Sequence, residues 1–192
     1  MMFENLQRDR TKYENHGRWY FDTGFWIVAI FRFGNWADAL PNRFLRIPMW
    51  VLYRLLKLFF RHRNIHLWAG RKGTRIGAGL QLIHPHNIMI GSGVEIGENC
   101  LIFHDVTLGT GQLPGRPKIG NNVDIYPGAR VLGGVTIGDR SMVGANCVVT
   151  RDVPPESIIL SAPSRVIPRA LSPVARSVDE RSAESAVVAQ TK

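Results

Sequence analysis

The sequence predicts a mainly β fold, a parallel β-helix of about four coils behind a short α-helical N-terminal segment. Three observations carry that expectation. From Ile76 to Val149 an aliphatic residue recurs every six positions: Ile76, Leu82, Ile90, Ile96, Ile102, Leu108, Ile119, Ile125, Val131, Ile137, Val143 and Val149, with two extra residues assigned to Ile88-Met89 and five between Leu108 and Ile119. Glycine follows that residue in seven of the twelve units (Gly77, Gly91, Gly97, Gly109, Gly120, Gly138, Gly144), where a wall ends and the backbone must turn. Four places after the aliphatic residue stand Val94, Cys100, Val106, Val123, Ala129, Val135, Ser141, Cys147 and Val153, side chains small or β-branched enough to share a narrow interior. A period of six does not match the 3.6 of a helix, and each glycine inside a helix would cost about 1 kcal/mol.

Residues 1–73 read as a short, basic, α-helical segment. The net charge of +9 belongs to it: residues 1–75 hold fourteen Lys/Arg and five Asp/Glu, and residues 76–192 hold ten of each. Phe25 to Trp36 and Phe44 to Arg63 read as two amphipathic helices, broken at Pro41 and Pro48. No run approaches about eighteen uncharged apolar residues, so a membrane span is not expected, and Glu4, Asp9 and Glu14 do not suit a secretory leader. Two roles suit this segment: capping the open end of the solenoid and packing between subunits, or resting on anionic lipid at the inner membrane face through residues 1–70. No nucleic-acid module or basic-aromatic platform accompanies the charge, so nucleic acid is not an expected partner.

Residues 74–153 form the β-helix, three six-residue units to a coil. His84 lies two places after Leu82 and His104 two after Ile102, which puts them on one wall of adjacent coils, roughly 5 Å apart at the backbone. The same place in the next coils holds Pro127 and Ala145, so a smooth groove is expected to run away from the paired imidazoles. His86 falls at an inward place and reads as structural. The Gly/Pro-rich stretch 109–118 is expected to be a loop overhanging the histidines. Residues 154–170 read as a C-terminal extension and 171–192, rich in Ser, Ala and charge, as a free tail. Cys100 and Cys147 occupy inward places two coils apart, roughly 10 Å and too far for a disulfide, which fits a reducing cytoplasm.

The runs IGSGVEIGENCLIF, VTLG (Val106 to Gly109), PKIGNNVDIYPGARVLGGVTIGD and VGANCVVTRDVPPES with the later APSRVI resemble the hexapeptide acyltransferases, and specifically the serine acetyltransferase branch, over about residues 74–168. The resemblance implies a left-handed coil, a homotrimer with active sites between subunits, and acetyl-CoA as acyl donor with no metal. It puts the catalytic histidine at His84, within LIHPHN. A neutral imidazole can take the proton of an alcohol as its oxygen attacks a thioester. His104 is expected to keep that base neutral by like-charge repulsion or to bind the acceptor hydroxyl, and Asp105 to orient one of the rings. The resemblance further implies that Gly109, Gly111, Pro127, Gly128 and Ala145 line the groove for the pantetheine arm, that Lys118 belongs to the same cofactor-binding set, and that Arg151 and Arg165 meet the phosphates.

The sequence also departs from that branch. Ile83 and Ala69 stand where it has aspartates, and Gly115-Arg116-Pro117 stands for its Arg-His-Pro. A site without the partners of a free amino acid loses selectivity for it, so the expected acceptor is a sugar hydroxyl, free or lipid-linked, in bacterial polysaccharide synthesis. L-serine is the alternative. A zinc lyase of the γ-carbonic anhydrase type, with His84, His86 and His104 as ligands, is a further alternative from a different class, and a catalytically silent scaffold is the last.

Overall fold

The computed structural model describes residues 2–14, 19–70, 73–112 and 114–162; the expected tail 171–192 lies outside them. Three helices come first: α1 (Met2–Glu14), α2 (Thr23–Ala39) and α3 (Arg43–Leu58). The Asp22 carboxylate accepts from the amides of Gly24 and Phe25 at the start of α2, and the Asn42 side chain accepts from Phe44 at the start of α3. Pro41 lies in the break between these two helices, as expected. Pro48 does not break anything: it sits inside α3. Its missing N–H removes one bond, to the carbonyl of Phe44 in a solvent-exposed first turn, and sixteen residues of helix persist around it.

The remaining described chain is a left-handed parallel β-helix with three walls. The first wall stacks the strands His66–Leu67, Met89–Ile90, Thr107–Gly109, Arg130–Leu132 and Val148–Val149. The second stacks Arg75–Ile76, Glu95–Ile96, Lys118–Ile119 and Thr136–Ile137. The third stacks Gln81–Leu82, Leu101–Ile102, Asp124–Ile125, Met142–Val143 and Ile158–Ile159. All twelve residues of the aliphatic beat are buried and pair in the order the period demands: Ile76 with Ile96, Ile119 and Ile137 on the second wall, and Leu82 with Ile102, Ile125 and Val143 on the third. Leu67 adds a tier before the repeat and Ile159 one after it.

The glycines that end the second wall do not serve a left-handed turn. Gly97 has no positive φ, yet a Cβ on it would stand 2.5 Å from the carbonyl oxygen of Gly120 in the next coil. Close approach of stacked backbones excludes a side chain there. The left-handed places fall three residues before the next third-wall aliphatic residue instead, at Asn99, Asn122, Arg140 and Glu156 on one edge. Cys100 and Cys147 are buried and free, but they belong to different edges of the prism, because one follows the second wall and the other the third.

A parallel solenoid has an open first coil whose backbone groups need partners. Here α1 and α2 supply them. The buried Asp9 carboxylate accepts from the amides of Gly79 (2.7 Å) and Leu80 (3.1 Å), and the Tyr13 hydroxyl accepts from Leu82 (2.8 Å). Arg32, 5% exposed, donates to the carbonyls of Ile76 and Gly77 and pairs with Asp9 at 2.9 Å. Burial pushes the Tyr13 phenol well above its usual range, so it stays neutral.

Candidate active site

Where the third wall turns into the first, equivalent residues of successive coils form a column. The amide of Asp105 donates to the His86 carbonyl (3.1 Å), that of Gly128 to His104 (3.2 Å) and that of Asn146 to Pro127 (2.9 Å). The column therefore reads His86, His104, Pro127, Ala145, with Arg63 ahead of it through the bond from Asn87 to the Arg63 carbonyl (2.8 Å). Each following residue is left-handed: Asn64, Asn87, Asp105, Gly128 and Asn146. Asn and Asp tolerate that conformation better than other side chains. At Gly128 a Cβ would lie 2.1 Å from the Asn146 Oδ1, so a side chain there would have to displace that amide.

This register corrects the expected pairing of His84 with His104. The ring stacked on His104 is that of His86, with centroids 4.7 Å apart and planes 13° from parallel. The two extra residues of this coil enter before His86 and not at Ile88-Met89: Ile88 is fully buried at the inward place, while Met89 and Ile90 pair with Thr107 and Leu108. His86, expected to be internal, is consequently half exposed at 51%. His84 is carried onto the resulting bulge at the same edge of the prism, exposed and with φ of 47°. Among the described residues it is the one non-glycine left-handed residue outside the two edge ladders. One signal in the sequence could have revealed this: Asn87 matches the left-handed asparagines Asn122 and Asn146, and counting from it puts His86 in the column.

A hydrogen-bonded chain runs along the same edge. His86 Nδ1 donates to the His84 carbonyl (2.9 Å), since a carbonyl can only accept, and its Nε2 lies 3.7 Å from Asp105 Oδ2. Asp105 Oδ1 accepts from the Asn87 amide (2.6 Å), Asn87 from Asn64 (2.7 Å), and Asn64 Oδ1 from His66 Nε2 (3.0 Å). Asp105 thus faces His86 and not either ring of the His84/His104 pair that it was expected to orient. His104 Nδ1 is buried with no partner among the described residues, and Arg63 Nε is in the same condition. Phe103 and Tyr126 stack at 5.1 Å beside the column, and the half-buried Ile83 continues their row.

His86, His104 and Asp105 bring potential metal-ligand atoms within 4.8 Å of one another. The zinc alternative required His84, which is not in that group. The near-parallel stacked rings aim their nitrogen lone pairs side by side and not at a common point, so this arrangement does not fit a tetrahedral ion.

The loop does not overhang the histidines within this protomer. It leaves the far edge of the first wall, where Gly111 lies against Leu132 and Gly133, Gly115 against Gly134, and Arg116 Nε donates to the Ser92 carbonyl at 2.8 Å. The reason is topological: His104 precedes the strand Thr107–Gly109 and the loop follows it. The expected cofactor residues are divided the same way, with Gly109 and Gly111 at that far edge and Pro127, Gly128 and Ala145 in the histidine column. Nothing would obstruct a Cβ on Gly109. Lys118 is exposed at the start of a second-wall strand, 4.0 Å from Glu95 Oε2. Arg151 is exposed beyond the last first-wall strand, and Arg165 lies outside the described residues.

Comparison with known proteins agrees with this architecture. Residues 116–151 match the bacterial transferase hexapeptide (six repeats) family. A serine acetyltransferase of Staphylococcus xylosus is 32% identical over 163 residues, covering 82% of this chain and 73% of that protein. The chain belongs to the serine acetyltransferase family. A further serine acetyltransferase, from Synechococcus elongatus, is 42% identical over 152 residues, 76% of this chain and 57% of that protein. The chain therefore spans little more than half the length of that relative. Among solved structures, soybean serine acetyltransferase complexed with serine superimposes with a TM-score of 0.65 at 28% identity, covering 86% of this chain and 69% of that one.

Proposed function

We propose that the chain transfers the acetyl group of acetyl-CoA to a hydroxyl, with L-serine as acceptor and His84 as general base. Family membership supports acyl transfer, and the named relatives favour serine over the sugar hydroxyl that Ile83 and Ala69 suggested. The observation that carries the assignment of His84 is its backbone: an exposed histidine in a left-handed conformation on a bulge, outside the regular ladders, is strain kept at a functional position. His86 holds that bulge through its bond to the His84 carbonyl, and His104 and Asp105 hold His86 in turn.

In the reaction, His84 takes the hydroxyl proton as the oxygen attacks the thioester carbonyl. Collapse of the tetrahedral intermediate expels the CoA thiolate, which recovers the proton from the imidazolium. The split of the loop and the column between two edges of the first wall suits a homotrimer, in which the loop of one subunit approaches the histidines of the next. Pro127, Gly128 and Ala145 then form the smooth continuation of the column for the pantetheine arm, with Gly109, Gly111, Lys118 and Arg151 contributed from the other side.

Replacing His84 with Ala should lower CoA release at least about 100-fold with the assembly unchanged by sedimentation. Activity near that of the parent would end the assignment. The sugar reading keeps one specific support, the absence of a carboxylate at positions 83 and 69. Direct competition between L-serine and nucleotide-linked sugars in the same assay, with mass spectrometry of the product, separates the two acceptors.

A further inference from the structure

Helix α3 packs inward through Tyr53, whose ring lies against Gly34 of α2. At 100° per residue, Phe44, Ile47, Val51, Leu55 and Leu58 project to the opposite side, with Leu52 at its margin. All six are exposed, from 41% at Leu52 to 91% at Phe44. Arg43 and Arg54 flank this strip on one side, and Arg61 follows in the short 3-10 turn just beyond the helix. From Asp38 to Glu95 the sequence contains no Asp or Glu, while nine Lys/Arg fall between them.

Beside the strip a cavity of about 470 Å³ opens between α3 and the start of the solenoid. Its interior is apolar, including Ile27, Phe31 and Leu67, and Leu55 and Leu58 are shared with the exposed strip. Arg54, Lys57 and Arg61 also line it. The Lys57 ammonium donates to the Leu67 carbonyl at 3.3 Å and lies 5.8 Å from the Trp68 ring. Partial burial, with Arg54 beside it, holds its pKa below the usual lysine value, so a nearby anion would relieve it. An apolar interior rimmed by cations suits an amphipathic anion.

We propose that α3 is a docking surface for an anionic lipid bilayer, its outward strip set into the boundary of headgroups and acyl chains, Arg54, Lys57 and Arg61 on lipid phosphates, and the adjoining cavity receiving one acyl chain. Charge decides between this partner and a second copy of the chain. Two α3 strips packed face to face would bring arginine rims together with no carboxylate on either helix to answer them. A surface of acidic lipid supplies that countercharge at every point. No helix among the described residues is long and apolar enough to cross the membrane, so the contact lies along the surface.

The test is co-sedimentation of the full chain with vesicles of phosphatidylcholine alone and of phosphatidylcholine containing about one-third phosphatidylglycerol. Binding is expected to the acidic vesicles only and to fall as salt rises. The pair Arg54→Gln and Arg61→Gln should weaken it roughly thirtyfold, about fivefold per cation. Leu55→Glu should abolish it, with helical circular dichroism unchanged because the site is exposed. Failure to bind acidic vesicles, or equal binding to both kinds, overturns the proposal. So does an oligomer that Leu55→Glu dissociates without vesicles ever being bound, which would make the strip an interface between copies. None of these readouts depends on the acceptor or on acetyl transfer.

Discussion

The solenoid and the helical cap handle apolar surface in opposite ways. In the solenoid each coil presents one aliphatic side chain per wall inward and buries it on the coils above and below; among its described large apolar residues only Trp68, Met89, Val148, Ile158 and Leu160 are exposed. The cap buries Tyr13, Phe25, Val28 and Phe31 against the first coil and leaves a continuous apolar strip on the far side of α3. A repeat satisfies itself, because every new coil is the partner of the last. A cap has one surface matched to the coil it covers and another that the fold leaves unmatched. The two regions are joined by polar groups: Asp9, Tyr13 and Arg32 replace the coil that would have preceded Gly77 to Leu82.

That contrast can be broken most severely at the joint. Arg32→Ala leaves the buried Asp9 carboxylate uncompensated and two carbonyls without donors, and should cost about 4 kcal/mol in denaturant unfolding. A loss under about 1 kcal/mol would mean that the cap is not what closes the solenoid. Inside the repeat, Ile102→Ala removes a fully buried wall residue held between Leu82 and Ile125 and should cost about 3 kcal/mol by the same measurement.

A pH titration sharpens the comparison further. Burial pushes the Cys100 thiol up to about 11 from an ordinary 9.0. Its neutral form is favoured by folding, so this contribution is complete below pH 9 and fades as pH rises through about 11. The chain should lose stability across that window, and Cys100→Ala should lose less of it; identical slopes for the two proteins would remove the thiol from the account. The smallest effect is expected on α3, where Leu52→Gln on the outward strip should change stability by less than about 0.5 kcal/mol. A loss comparable to that of Ile102→Ala would show that the strip is covered in the isolated protein.

Much of the solenoid was legible because burial and period coincide. Each member of the six-residue beat, Ile76 through Val149, is buried, and Val94, Cys100, Val106, Val123 and Ala129 fill the inward places between. The site was only partly legible. His104, Pro127 and Ala145 do share a column, and Asp105 does face a histidine ring, but that ring belongs to His86. Nor could composition show that Pro48 would be absorbed within α3, whose inward face is held by Tyr53 packed on Gly34.

What the sequence by itself determined is the number of walls, the order of coils and the identity of the twelve wall residues, because these depend on a count that stacking enforces at every tier. What only the tertiary structure decided is where the count is interrupted. Two extra residues can enter before or after a histidine without changing which aliphatic residue comes next, and the bond from the Asp105 amide to the His86 carbonyl makes that choice. The same holds for the edge from which the loop departs and for the polar plug of Asp9, Tyr13 and Arg32: these join residues 23 to 71 positions apart, and no local pattern encodes such meetings.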